Sequence, residues 1–143
     1  MYDSILVPID MGEKGFADKV VENALGILKP HGKLILLSAV PGYQMPIVGS
    51  YFPQGTFDHL VKDIKNQLKE FTENSLPIDP SECSMVVQEG KPADVILSVA
   101  SKEKVDIIVM ASHKQSRMER TVIGSIANKV VGRADIPVLV VKG

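Results

Sequence analysis

Residues 111–125, "ASHKQSRMERTVIGS", hold the side chains best suited to chemistry. The segment leaves an apolar run at Ala-Ser-His-Lys and passes the cations Lys114, Arg117 and Arg120. It ends where Gly124-Ser125 opens a helical pattern. A helix start presents free backbone N–H groups and the positive end of its dipole. Glycine lets an anion approach the backbone, and a serine hydroxyl can donate beside it. Taken together, these groups suit a phosphate. The competing reading makes Ser125 a plain N-cap, Gly124 a turn residue and the cations solvated charge.

Elsewhere the candidates are sparser. Asp10 closes "VPID" after an apolar run, where it serves either a ligand or the turn into a helix. His113 is the histidine nearest the cationic segment, and a surface imidazole without a role is its rival reading. His31 falls in a "PHG" turn and His59 on a helical pattern, neither with a partner at metal-ligand spacing, so no structural metal is expected. Asp79 and Glu82 share a turn and carry no acid–base signature. Cys83 opens a strand without a cationic setting and reads as an inert small residue.

Composition narrows the function classes. The 143 residues hold 16 basic and 17 acidic side chains, net charge −1, so no bulk field attracts nucleic acid or an anionic membrane. Trp is absent, and only 3 Tyr and 4 Phe are present, too few for a base-stacking platform. Hydrophobic residues make up 45 %, enough for a core in a single domain spanning residues 1–143. One cysteine excludes an intramolecular disulfide, and "MYDSILVPID" shows no signal peptide, so the expectation is a cytoplasmic protein. The apolar runs are too short to span a membrane.

Positioning these residues requires the elements around them. Apolar or β-branched runs occupy residues 4–9, 33–40, 83–89, 105–111 and 136–141. Those near the chain ends are nearly continuous in apolar character, as strands buried on both faces of a parallel sheet are. Between them, Phe16, Val20, Val21, Ala24, Leu25 and Leu28 repeat at helical spacing until "KPHG". Leu60, Val61, Ile64, Leu68 and Phe71 repeat likewise until "LPIDP"; "KPADVILSVASKE" and "GSIANKVVGRA" supply two more helices. Pro92 suits a first helical turn. Residues 41–57, rich in Pro, Gly and aromatics including Tyr43, Tyr51 and Phe52, read as a lid or a disordered loop.

Alternating strands and helices predict an α/β fold: a five-stranded parallel open sheet, order 3-2-1-4-5, with helices on both faces. Open sheets of this kind take ligands outside the carboxyl ends of the strands where the order reverses. That point lies between the strands ending in "VPID" and "VMASHK", where the polar segments converge.

At these residues the sequence resembles the universal stress protein family, whose motif is Gly-x2-Gly-x9-Gly-Ser/Thr after the fourth strand. Ala111 stands at the first glycine position and Lys114 at the second, and nine residues later come Gly124 and Ser125. "ILVPID" and "IPVLVV" also match the family, and "ASH" with a basic fourth residue is similar to its F and G type members, the filament-associated branch. The resemblance covers essentially the whole chain and implies a Rossmann-like fold that binds ATP or ADP, with Mg2+ as a candidate counter-ion. It implies that Pro8, Asp10 and Val40 line an adenine site with Met110 beneath the base. Backbone at Ala111 would face the ribose, and Ser112, His113 and Lys114 would lie along the phosphates. Gly124, Ser125, Ile126 and Ala127 would form the phosphate nest. It further implies a homodimer through the C-terminal strand, or a higher oligomer, acting in stress response.

An ATPase or adenylyl-transfer enzyme on the same fold is the alternative. No residue declares itself as general base or water positioner, so at most slow hydrolysis is expected. A phosphorylation receiver would need an acidic cluster after the first strand, where Asp10 stands alone. A flavin binder would need a hydroxyl-rich loop there.

Overall fold

The computed structural model describes residues 1–9, 14–40, 54–75, 79–112 and 124–142. Five parallel strands form one sheet: β1 (Tyr2–Pro8), β2 (Leu28–Val40), β3 (Cys83–Glu89), β4 (Ile107–Ala111) and β5 (Val138–Val141). Their order is β3-β2-β1-β4-β5, as the sequence predicts. Among the described residues, four helices alternate with them: α1 (Lys14–Ile27), α2 (Gln54–Ser75), α3 (Pro92–Lys102) and α4 (Ser125–Arg133).

The side-chain period of two splits each central strand between two cores. Ile5, Val7, Leu34, Leu36, Ile107 and Val109 pack with Val20, Val21 and Ala24 of α1 and Leu68 and Phe71 of α2. Leu6, Ile35, Leu37, Ile108 and Met110 pack with Val95, Ile96 and Val99 of α3 and Ala127 and Val130 of α4. Two helices therefore cover each face, and the continuous apolar runs are explained by burial on both sides. Among the described residues, no helix is long and apolar enough to cross a membrane.

The ends of β1, β4 and β5 differ from the sequence reading by one or two residues, and two differences are larger. Helix α1 ends at Ile27, so Leu28, expected on the helix, and the KPHG motif both lie in β2, which begins at Leu28 rather than at residue 33. Tyr2 pairs with Leu28 and Ser4 with Lys33, so five steps along β2 accompany two along β1. The surplus is absorbed by a bulge in which His31 takes a left-handed φ of 63°. Gly32 follows it because a Cβ there would lie 2.6 Å from Leu28 Cδ1 and 3.0 Å from the Asp3 carbonyl oxygen. The second difference is at α2, which starts at Gln54, inside the stretch expected to be loop. Residues 41–53, with Tyr43, Tyr51 and Phe52, lie outside the described residues.

At the amino ends of the strands, Asp79 accepts hydrogen bonds from the Ser81 backbone N–H and hydroxyl, both at 2.9 Å. The backbone bond, then the hydroxyl, lowers its pKa. His31 Nδ1 stands 2.9 Å from Glu82 Oε1 at the same end. Cys83 is buried in the core beneath α2, and burial raises its thiol pKa, with the Thr72 hydroxyl partly opposing.

Two backbone conformations give stability predictions of opposite sign. Gly90 has φ 137°, and a Cβ there would meet Val95 Cγ2 at 2.9 Å. Gly90→Ala should lower unfolding free energy by about 1–3 kcal/mol in urea titrations. Lys104 occupies a left-handed position (φ 52°) just after α3, where glycine is the preferred residue. Lys104→Gly should gain about 0.5–1 kcal/mol, since relief of the left-handed strain exceeds the added unfolded-state entropy. Cys83 should react with a thiol reagent at pH 8 roughly a hundred-fold more slowly in the folded protein than in urea, and equal rates would refute its burial.

Candidate functional site

β1 and β4 are neighbours at the reversal of strand order. Their ladder pairs Ile5 with Ile107 and Leu6 with Ile108 and then stops, although β1 continues to Pro8 and β4 to Ala111. On the outer sides the pairing persists: Pro8 stays level with Leu37 and Ala111 with Val141. The hydrogen-bonded pairing of the two central strands thus ends short of their carboxyl ends, while each remains paired with its other neighbour.

The start of α4 is fastened to this opening. The Ser112 N–H donates to the Val141 carbonyl at 3.0 Å, and the Ser112 carbonyl accepts the Gly124 N–H at 3.4 Å. Gly124 is the N-cap, with φ −60° and ψ 157°, and no side chain caps the helix. Its carbonyl accepts the Asn128 N–H at 2.9 Å, the first bond of the helix. The N–H groups of Ser125, Ile126 and Ala127 precede that bond and have no intrahelical acceptor. Ser125 is exposed and is the first helical residue, which removes the reading of it as a plain N-cap. The φ and ψ of Gly124 are open to any residue, so conformation does not require glycine there.

Of the residues singled out from the sequence, Pro8, Met110, Ala111, Ser112, Gly124, Ser125, Ile126 and Ala127 gather at this end of the sheet around the β1–β4 opening. Val40 ends β2 on the other side of β1, and its carbonyl accepts the Gly90 N–H at 2.9 Å. Met110 and Ser112 are buried, and Pro8 and Ala111 are half-buried. Asp10, His113 and Lys114, with Arg117 and Arg120, lie outside the described residues. Gly90 was missed by the sequence reading; its signal was the "EGKP" step from a strand into a helix that begins with proline. Among the described residues, no three His, Cys, Asp or Glu side chains are grouped to hold a metal ion.

Comparison with known proteins agrees with this architecture. The sequence model of the universal stress protein family matches residues 1–142. Universal stress protein G of Shigella flexneri is 28 % identical over 144 residues, covering 99 % of this chain and 100 % of the relative. The solved structure of MJ0577, a universal stress protein of Methanocaldococcus jannaschii, superposes with a TM-score of 0.77 at 24 % identity, covering 100 % of this chain and 97 % of the other. A universal stress protein solved in complex with cAMP gives a TM-score of 0.62 at 20 % identity, over 99 % and 97 % of the two chains. The fold, the strand order and the full-length family match together lead to one conclusion: this chain belongs to the universal stress protein family.

Proposed function

We propose that the chain is a nucleotide-dependent regulatory module that binds ATP or ADP at the carboxyl ends of β1 and β4. The observation that carries this reading is the uncapped start of α4, tied to the end of β4 through the Gly124–Ser112 hydrogen bond. Three oriented N–H donors, an exposed hydroxyl and a helix dipole converge where the sheet opens, and together they favour a phosphate. The cAMP complex of a protein with the same fold adds support for a nucleotide of some kind.

In this reading the N–H groups of Ser125, Ile126 and Ala127 hold the phosphates, and Gly124 leaves room for them. Pro8, Val40 and Met110 offer apolar surface to the base, and backbone at Ala111 and Ser112 runs between base and phosphates. Asp10, His113 and Lys114 lie outside the described residues; the family resemblance assigns Asp10 to the adenine site and His113 and Lys114 to the phosphates. Bound Mg2+ would neutralise phosphate charge. Asp10 and His113, the two candidates for positioning a water, lie outside the described residues; in this reading the bound state itself is the output and hydrolysis is at most slow. Differential affinity for two conformations is how such a state is read by a partner.

The chain acts in this proposal as one cytoplasmic domain paired through β5. That strand is a sheet edge, with Leu139 exposed and Val138 and Val140 half-buried, an apolar edge of the kind proteins cover. Two copies related by a two-fold axis would bury it.

Gly124→Val tests the site without straining the backbone, because φ −60° and ψ 157° suit valine. The isopropyl group should obstruct the phosphate, weakening ATP binding by more than about tenfold in calorimetry at unchanged melting temperature. Unchanged affinity would place the nucleotide elsewhere.

A further inference from the structure

Proline within a central strand is unusual, because it removes a ladder hydrogen bond. Pro8 is such a residue, lying in the middle strand of five. Along a parallel strand, successive residues present their N–H and C=O groups to opposite sides. The Ser4 carbonyl accepts the Asp106 N–H at 2.9 Å, so Ser4, Leu6 and Pro8 face β4. The Ile9 N–H donates to the Leu37 carbonyl at 2.7 Å, which puts Ile5, Val7 and Ile9 toward β2. On β4, the Ile108 N–H donates to the Pro137 carbonyl at 3.1 Å, toward β5, so Ile107, Val109 and Ala111 face β1.

These orientations identify the missing rung. After Ile5–Ile107 and Leu6–Ile108, the next bond would run from an N–H at position 8 to the Val109 carbonyl. Proline has no N–H, and the ladder stops there. Because the Pro8 nitrogen faces away from β2, the β1–β2 pairing loses nothing and runs on through Pro8 and Leu37. The loss is confined to the side on which the pairing ends.

We infer that Pro8 is a positioning residue for the proposed nucleotide site. By withholding one N–H from Val109, it keeps the carboxyl ends of β1 and β4 apart so that a ligand enters between them. This inference rests on the nucleotide reading for its functional half and on strand geometry for its structural half.

The test compares wild type, Pro8→Ala, and a protein carrying lactic acid at position 8, which has the methyl group of alanine but an ester oxygen in place of N–H. In Pro8→Ala the position-8 amide should exchange slowly with solvent and show a through-hydrogen-bond coupling to the Val109 carbonyl. Pro8→Ala and the lactic acid protein both lose the contact of the proline ring with the base, so the N–H is read from the difference between them. The ATP affinity of Pro8→Ala should lie about two- to twelve-fold below that of the lactic acid protein, the population cost of opening one backbone hydrogen bond before the ligand enters. A freely exchanging amide in Pro8→Ala overturns the inference, as does a lactic acid protein that binds as weakly as Pro8→Ala. Should Pro8→Ala not fold, Pro8→Val and its hydroxy-acid counterpart take its place in the same comparison. Absence of ATP binding by wild type would remove the functional reading, and the amide exchange would still decide the role of Pro8 in the ladder.

Discussion

The fold rests on burial of β1 along both faces and both edges. Ile5, Leu6 and Val7 are wholly inaccessible to solvent, and they alternate between the core under α1 and α2 and the core under α3 and α4. Burying each such side chain contributes about 1.5–3 kcal/mol, whereas a net backbone hydrogen bond contributes about 0.5–1.5 kcal/mol. The strand is therefore anchored mainly by its side chains. It can forgo a rung at Pro8 without leaving the sheet.

From that anchoring the site follows. With β1 held in the middle, the chain leaves one side of it to build β2 and β3 and the other side to build β4 and β5. Connections depart in opposite directions at the reversal, and nothing in the strand order closes the gap between the ends of β1 and β4. The α4 start reaches that gap through two backbone hydrogen bonds, Ser112 to Val141 and Gly124 to Ser112. The edge strand and the helix start consequently share the short segment at Ser112, which is buried despite its hydroxyl. Helix donors and strand opening are thus parts of one local structure.

Much of this was legible in the residues. The continuous apolar runs specified a doubly covered sheet, β3 was read with its observed ends, and Pro92 marked the start of α3. The pattern of Lys29 to Gly32 was not legible as strand, since Pro and Gly signal a stop. Only contact with Tyr2 and Asp3, far off in sequence, turns that stop into a bulge. Pro8 was read as a wall of the site, but which way its nitrogen faces is a matter of register, and register is set between strands. The role of Ser125 was likewise undecided until Gly124 proved to be the N-cap. Gly90 needed its φ of 137° to be noticed.

The central claim is that the opening between β1 and β4 receives a nucleotide. Titration of isotopically labelled protein with ATP, followed through backbone amide resonances, tests it directly. The account predicts the largest shifts at Ile9, Ala111, Ser112 and Gly124 through Ala127, with His31, Glu82 and Lys104 at the opposite end of the sheet unmoved. Shifts centred on that opposite end, or no shift at millimolar ATP, would contradict it.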